Sequence, residues 1–127
     1  MDYRTINSIA LAYMGDAVYE QYIRQRVIER CHSPHADVMH RAGVRYVNAS
    51  AQCAALKHIL PQLSEEEAGV VRRARNHKIA TKAKNADAVT YKWATAFEAL
   101  IGYLFFAERS ERLQEIMLLA AEFTESR

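Results

Sequence analysis

The sequence predicts an all-α fold of six or seven helices, and three observations carry that prediction. Apolar residues recur at steps of three and four, no segment alternates as a strand would, and turn-forming residues are scarce. Only 4 Gly and 2 Pro occur in 127 residues, too few for the many turns of an all-β sandwich or barrel. A hydrophobic share of 50% beside 25% charged residues is the balance of a globular chain, not of a disordered one. The length suits one domain, residues 1–127, around one core.

The first helix spans Ile6 to Arg30, where Ile9, Tyr13, Tyr19, Ile23 and Val27 keep one face apolar. Asn7 or Ser8 caps it, and Gly15 marks a bend or a close packing contact. Ser33-Pro34 reads as a cap and first-turn proline, opening a second helix near His35 that ends around Gly43. A third runs from Val44 to Leu60 and is stopped by Pro61. Ser64-Glu65-Glu66-Glu67 starts a fourth: Ser64 caps, Glu67 takes the capping-box position, and the acids suit the positive end of the helix dipole. Residues Asn76 to Asn85 keep no apolar period and read as a basic loop. Asp87 caps the next helix, which continues to about Glu108, and Ser110 caps the last, which carries Leu113, Ile116, Met117, Ala120 and Phe123.

Charge is unevenly spread. The net value is only +2, yet six basic residues and no acid lie between Ala68 and Ala86. That leaves eleven basic against fifteen acidic residues elsewhere, a +6 segment on a −4 body. Concentrated positive fields of this kind meet phosphates. No uncharged stretch approaches the ~18 apolar residues of a membrane span, and Met1-Asp2-Tyr3-Arg4 begins no secretory signal. Cys31 and Cys53 form no CxxC spacing and read as reduced thiols of a cytoplasmic protein.

Two carboxylates stand in apolar surroundings. Asp16 is the single charge in Ser8–Tyr19, and Glu98 the single charge in Trp93–Ala107. The second stretch is apolar nearly all round, which places its helix in the middle of the bundle. A lone ionised carboxylate there costs several kcal/mol unless a cation or a set of donors meets it, on the order of the penalties for buried ions. Three solutions satisfy it: an ion pair, hydrogen-bond donors, or a shared divalent cation, for which carboxylates with water suit Mg²⁺ or Mn²⁺. A phosphate-binding segment beside an acidic metal site is the layout of a nuclease.

The motifs themselves carry a resemblance. Leu11-Ala12-Tyr13-Met14-Gly15-Asp16-Ala17-Val18 resembles the LEFLGDAV motif of the ribonuclease III family, and Phe97-Glu98-Ala99-Leu100-Ile101-Gly102 is similar to its FEALIG segment. Tyr46-Val47-Asn48-Ala49-Ser50-Ala51-Gln52 extends the likeness into the third helix. It covers essentially the whole chain, in order, and is strongest to the compact bacterial Mini-ribonuclease III branch, which lacks a double-stranded-RNA-binding domain. The resemblance implies a ribonuclease III-like catalytic domain that cuts double-stranded RNA with Mg²⁺, Mn²⁺ being a possible substitute. It implies a homodimer whose two sites line one cleft, 5′-phosphate and 3′-hydroxyl ends, and maturation of the large-subunit ribosomal RNA precursor. Asp16 and Glu98 would be the catalytic, metal-holding acids.

Other acids of the wider family are absent: Ala12, Thr95 and Ile9 stand where it has carboxylates. The compact branch shares that reduction, and one well-held Mg²⁺ per protomer is expected. Arg72, Arg73, Arg75, Asn76, His77, Lys78, Lys82 and Lys84 are the expected RNA contacts, since A-form duplexes are gripped through phosphates and 2′-hydroxyls. For Arg72 and Arg73, complementing the dipole at a helix C-terminus is an equal explanation. Lys92 reads as an exposed cation or a phosphate contact. Cys31, His32, His35 and His40 match no tetrahedral zinc spacing. Tyr13 and Tyr19 read as packing residues, and Tyr103, Leu104, Phe105 and Phe106 as a cluster partly given to a dimer interface. The rival function is a noncatalytic scaffold or double-stranded-RNA-binding domain with a degenerate fold of the same family.

Overall fold

The computed structural model describes residues 1–77 and 86–127 and is built of helices joined by short turns. Six α-helices are described: α1 (Ser8–Arg30), α2 (Ala36–Val47), α3 (Ala49–Ile59), α4 (Glu65–Asn76), α5 (Ala86–Phe106) and α6 (Ser110–Glu125). Single 3₁₀ turns occupy Tyr3–Thr5 and Leu60–Gln62. The fold is all-α, and no strand occurs among the described residues.

The most apolar helix lies at the centre. α5 packs against α1, α3, α4 and α6, and Phe97, Leu100, Ile101 and Leu104 are wholly buried. A helix apolar on every side has no face to give to water, so its neighbours surround it. α1 and α5 run antiparallel: Tyr19 packs edge-on against Phe97 with centroids 4.9 Å apart, and Tyr3 against Tyr103 at 5.2 Å.

The caps explain the boundaries. Asn7 accepts from Ala10 N–H at 2.9 Å and opens α1. Ser64 and Glu67 form the reciprocal capping box of α4, and the same Glu67 carboxylate, 3% exposed, takes two bonds from Arg112 of α6 at 2.8 Å. A second partly buried pair fastens the opposite end, where Arg26 meets Glu125 through two bonds of 2.6 Å and Tyr46 donates to the same carboxylate at 2.7 Å.

Four expectations need correction. Gly43 does not end α2, which continues to Val47. The break comes at Asn48, whose Oδ1 accepts from Ala51 N–H at 2.9 Å while its Nδ2 donates to the Val44 carbonyl at 2.9 Å, so one side chain closes α2 and opens α3. Ser33 does not cap α2: its Oγ accepts from His35 N–H, and His35 occupies the cap position without a side-chain bond. Asp87 lies inside the first turn of α5 rather than before it. Ser110 is likewise the first residue of α6, with Arg109 at the cap position and the turn made by Glu108 at φ 57°.

Candidate active site at a helix crossing

Two glycines bring the two motifs together. A Cβ on Gly15 of α1 would meet the Glu98 carbonyl group, with the carbonyl carbon at 2.6 Å and Gly102 N at 2.9 Å. A Cβ on Gly102 of α5 would meet the Leu11 carbonyl, carbon at 2.8 Å. Real side-chain atoms do not come so close, so only glycine on both helices lets their backbones touch here. Of the two roles open to Gly15 from sequence, close packing is the one observed. The two acids follow from this contact: Asp16 is next to Gly15 on α1, and Glu98, whose own carbonyl touches Gly15, lies one turn before Gly102 on α5.

Their carboxyl groups lie within hydrogen-bonding reach of one another. Burial and the Asp16 charge beside it push the Glu98 carboxyl up from its ordinary 4.5 to about 8. Near neutral pH the metal-free site therefore keeps a proton on Glu98. Burial is unequal. Glu98 is half-buried, but Asp16 is exposed, contrary to the expectation of two acids enclosed in apolar helices. The face of α1 that carries Tyr13, Asp16 and Ala17 is turned to solvent, so Asp16 stands at the open edge and Glu98 at the floor.

A third side chain completes the floor. Gln52 of α3 is 2% exposed and faces Glu98, favouring its charged form, yet its Nε2 has no hydrogen-bond partner. A buried amide left unpaired costs free energy comparable to a lost hydrogen bond, and as a donor this one serves the ionised Glu98 carboxylate. Sequence reasoning placed Gln52 in a motif but gave it no role. A polar residue between Ala51 and Cys53 on a buried helix face was the available signal. Two carboxylates, a buried amide and an open solvent side fit a hard divalent cation keeping several waters. They include no His or Cys, the residues that supply most ligands at zinc sites. Among the described residues no group of three or more His, Cys, Asp or Glu side chains could hold a metal.

Two of the three positions that depart from the wider family are buried, Ala12 at 6% exposed one turn before Asp16 and Thr95 at 6% exposed one turn before Glu98, whereas Ile9 is 45% exposed. Of the basic segment, Arg72, Arg73, Asn76 and His77 are exposed at the end of α4, and Arg75 is half-buried against Trp93. Lys78, Lys82 and Lys84 lie outside the described residues. Tyr19 is buried, as a packing residue should be, but Tyr13 is 82% exposed. Of the aromatic cluster only Phe105 is exposed. Tyr103 and Leu104 belong to the core, and the Tyr103 hydroxyl donates to Glu66.

Comparison with known proteins agrees with this geometry. The Ribonuclease III domain model matches residues 9–109. A Mini-ribonuclease 3 of Symbiobacterium thermophilum is 47% identical over 121 residues, 95% of this chain and 92% of the relative. That of Enterococcus faecalis is 44% identical over 91% and 89% of the two chains. A crystal structure of a Fusobacterium nucleatum protein superposes with a TM-score of 0.81 at 28% identity, over 95% of this chain and 96% of that one. With both glycine-bearing motifs inside the matched span, the chain belongs to the ribonuclease III family, on its Mini-ribonuclease 3 branch.

Proposed function

We propose that this ribonuclease III-family endoribonuclease hydrolyses double-stranded RNA with Mg²⁺ held by Asp16 and Glu98, Mn²⁺ serving as a substitute. The observation that carries this reading is the pair of carboxylates set side by side at the glycine crossing. Bound there, the ion would lower the pKa of a coordinated water and offset charge developing on the scissile phosphate. The protein's own part is positional. The crossing of α1 and α5 fixes the distance between the two acids, Gln52 orients Glu98, and the exposure of Asp16 leaves room for a duplex. Release of the proton from Glu98 accompanies loading, because a carboxylate binds the cation only when ionised. One ion per protomer follows from two carboxylates, with Ala12 and Thr95 adding no charge.

The products would carry 5′-phosphate and 3′-hydroxyl ends, and the substrate would be the large-subunit ribosomal RNA precursor in the cytoplasm. Two free thiols, Cys31 and Cys53, support a reducing compartment. The working unit would be a homodimer, with residues 1–127 forming one catalytic domain in each protomer. An apolar stripe of Ile9, Tyr13 and Ala17 along α1, exposed next to Asp16, supports that pairing. Arg72, Arg73, Arg75, Asn76 and His77, with Lys78, Lys82 and Lys84 in the adjoining segment, would contact the duplex backbone.

The test pairs a long duplex RNA with the purified protein, in Mg²⁺ or chelator, beside Asp16→Asn and Glu98→Gln. Discrete cleavage that requires Mg²⁺ and vanishes in both variants, while duplex binding persists, is the expected result. Binding without cleavage under any divalent ion would sink the metal-site assignment.

A further inference from the structure

Three helices contribute to a cation cluster of which the proposed function uses only Arg75. The Lys57 Nζ of α3 lies 5.2 Å from the centroid of the Trp93 ring on α5, and the Arg75 guanidinium of α4 lies 4.9 Å from the same centroid. Two positive groups on one indole are at most about 10 Å apart and repel each other. The ring attracts each of them but neutralises neither.

Elsewhere in the fold, four cations that cross between elements have carboxylates, while Arg45 donates to the Thr124 carbonyl. Arg26 and Arg30 share Glu125, Arg109 takes Glu66, and Arg112 takes Glu67. Among the described residues no carboxylate pairs with Lys57 or Arg75. The cluster is also rigid by construction, because Trp93 is half-buried and its ring is set by the core helix. A fixed pair of unneutralised cations on a flat ring is a seat for an anion.

Its position identifies the anion. Trp93 precedes Glu98 by five residues, about 7.5 Å along the helix at ~1.5 Å per residue. Lys57 follows Gln52 by the same five residues on the neighbouring helix. The seat therefore lies a little more than one helical turn from the carboxylates along both α5 and α3. We propose that Lys57, Arg75 and Trp93 form a phosphate-binding subsite that grips the RNA backbone beside the carboxylate pair. The proposal rests on the ribonuclease reading above and adds to it Lys57 and Trp93, which sequence reasoning did not select.

Trp93 is the only tryptophan, so its fluorescence reports the seat directly. A short paired RNA is titrated into the wild-type protein in chelator, and affinity is then measured over a range of salt for Lys57→Gln, Arg75→Gln and Lys57→Arg. Saturable change in Trp93 emission is expected. Each Gln variant should lose roughly three- to tenfold in affinity and lower the salt slope by about one. With Mg²⁺, KM should rise while kcat is kept, and Lys57→Arg should restore most of the loss. Unchanged emission on binding, or unchanged affinity and salt slope in both Gln variants, would overturn the subsite while leaving the nuclease intact. A fall in melting temperature with RNA affinity preserved would show that the cluster only fastens α3 and α4 to α5, and would equally overturn it. Failure of the wild-type protein to bind duplex RNA at all would remove the ribonuclease reading itself.

Discussion

Replacing Gly15 by alanine sets two effects of known sign against each other. In an unconstrained helix interior the change is favourable by about 1 kcal/mol, because alanine loses less backbone entropy than glycine. In this fold the new Cβ would lie 2.6 Å from the Glu98 carbonyl carbon and 2.9 Å from Gly102 N. Both obstacles are backbone atoms of the central helix, so no side chain can swing away. The Glu98 carbonyl oxygen is nearer still, so reaching an ordinary contact of 3.4 Å requires α1 and α5 to part by more than 1 Å. Overpacking of a core costs about 1–3 kcal/mol when side chains can adjust, and a backbone obstacle puts this site at the upper end. The net expectation is a loss of about 2 kcal/mol, seen as a fall of roughly 5–10 °C in melting temperature. The same displacement separates Asp16 from Glu98, and a misplacement of ~1 Å at reacting groups costs about 10²-fold in rate. Gly43→Ala is the internal control: its Cβ would meet only Ile23 Cγ2, at 4.0 Å, and should gain up to ~1 kcal/mol with activity unchanged. Differential scanning calorimetry and cleavage of a labelled duplex measure both variants. A Gly15→Ala protein that melts at or above the wild type and cuts at full rate would refute the crossing as the device that builds the site.

Three further outcomes follow from the same structure. The Glu98 carboxyl is raised from 4.5 to about 8, so its contribution to stability is full below pH 4.5 and declines as pH rises toward 8. Metal-free protein should therefore lose on the order of 2–4 kcal/mol across that window, a loss absent in Glu98→Gln and reversed by divalent cation; flat melting curves from pH 5 to 8.5 would contradict it. Glu125 is held down to about 2 by Arg26, so its contribution is present above pH 4.5 and disappears as pH falls toward 2. Glu125→Gln should cost about 2–3 kcal/mol at pH 7 by stranding a partly buried Arg26, and denaturant titration showing less than ~0.5 kcal/mol would rule this out. Gln52→Leu removes the buried amide that faces Glu98 and favours its charged form, and should weaken Mg²⁺ binding measured by calorimetry; unchanged metal affinity would deny Gln52 its positioning role.

The sequence revealed the helices through periodicity, and it pointed to the candidate site through two isolated charges. What it concealed is local. Gly43 looked like a terminator because glycine commonly ends helices, but the stop lies at Asn48, where an amide satisfies two helix ends at once. Asp16 looked enclosed because its neighbours in sequence are apolar. Burial depends on which face of α1 is covered, and α5 covers the Gly15 face rather than that of Tyr13 and Asp16. Gln52 and Lys57 were invisible as functional residues because their partners, Glu98 and Trp93, lie more than thirty positions away. Pairings of that range are set by helix packing, and a one-dimensional pattern carries little record of it.

The two-acid site and its surroundings explain each other. Were a carboxylate present at Ala12 or Thr95, it would replace a side chain only 6% exposed, adding a buried anion to a position where Glu98 already retains its proton beside Asp16. Each further acid would raise the electrostatic cost of the metal-free fold and deepen its dependence on bound cation. With alanine and threonine there instead, the metal-free site needs only one proton to be neutral enough to fold. The corresponding loss is in cation affinity, since two carboxylates offset less charge than four. On the proposed reading the duplex supplies the remainder. Its backbone brings anionic oxygens to the open side where Asp16 is exposed, so metal and RNA should each tighten the other's binding, reciprocally and by the same factor. Calorimetric titration of Mg²⁺ into the Asp16→Asn protein should show that coupling reduced. In the wild-type protein, Mg²⁺ affinity measured with a non-cleavable duplex should exceed that of the free protein several-fold, and equal affinities in the two states would mean that the chain's own carboxylates suffice.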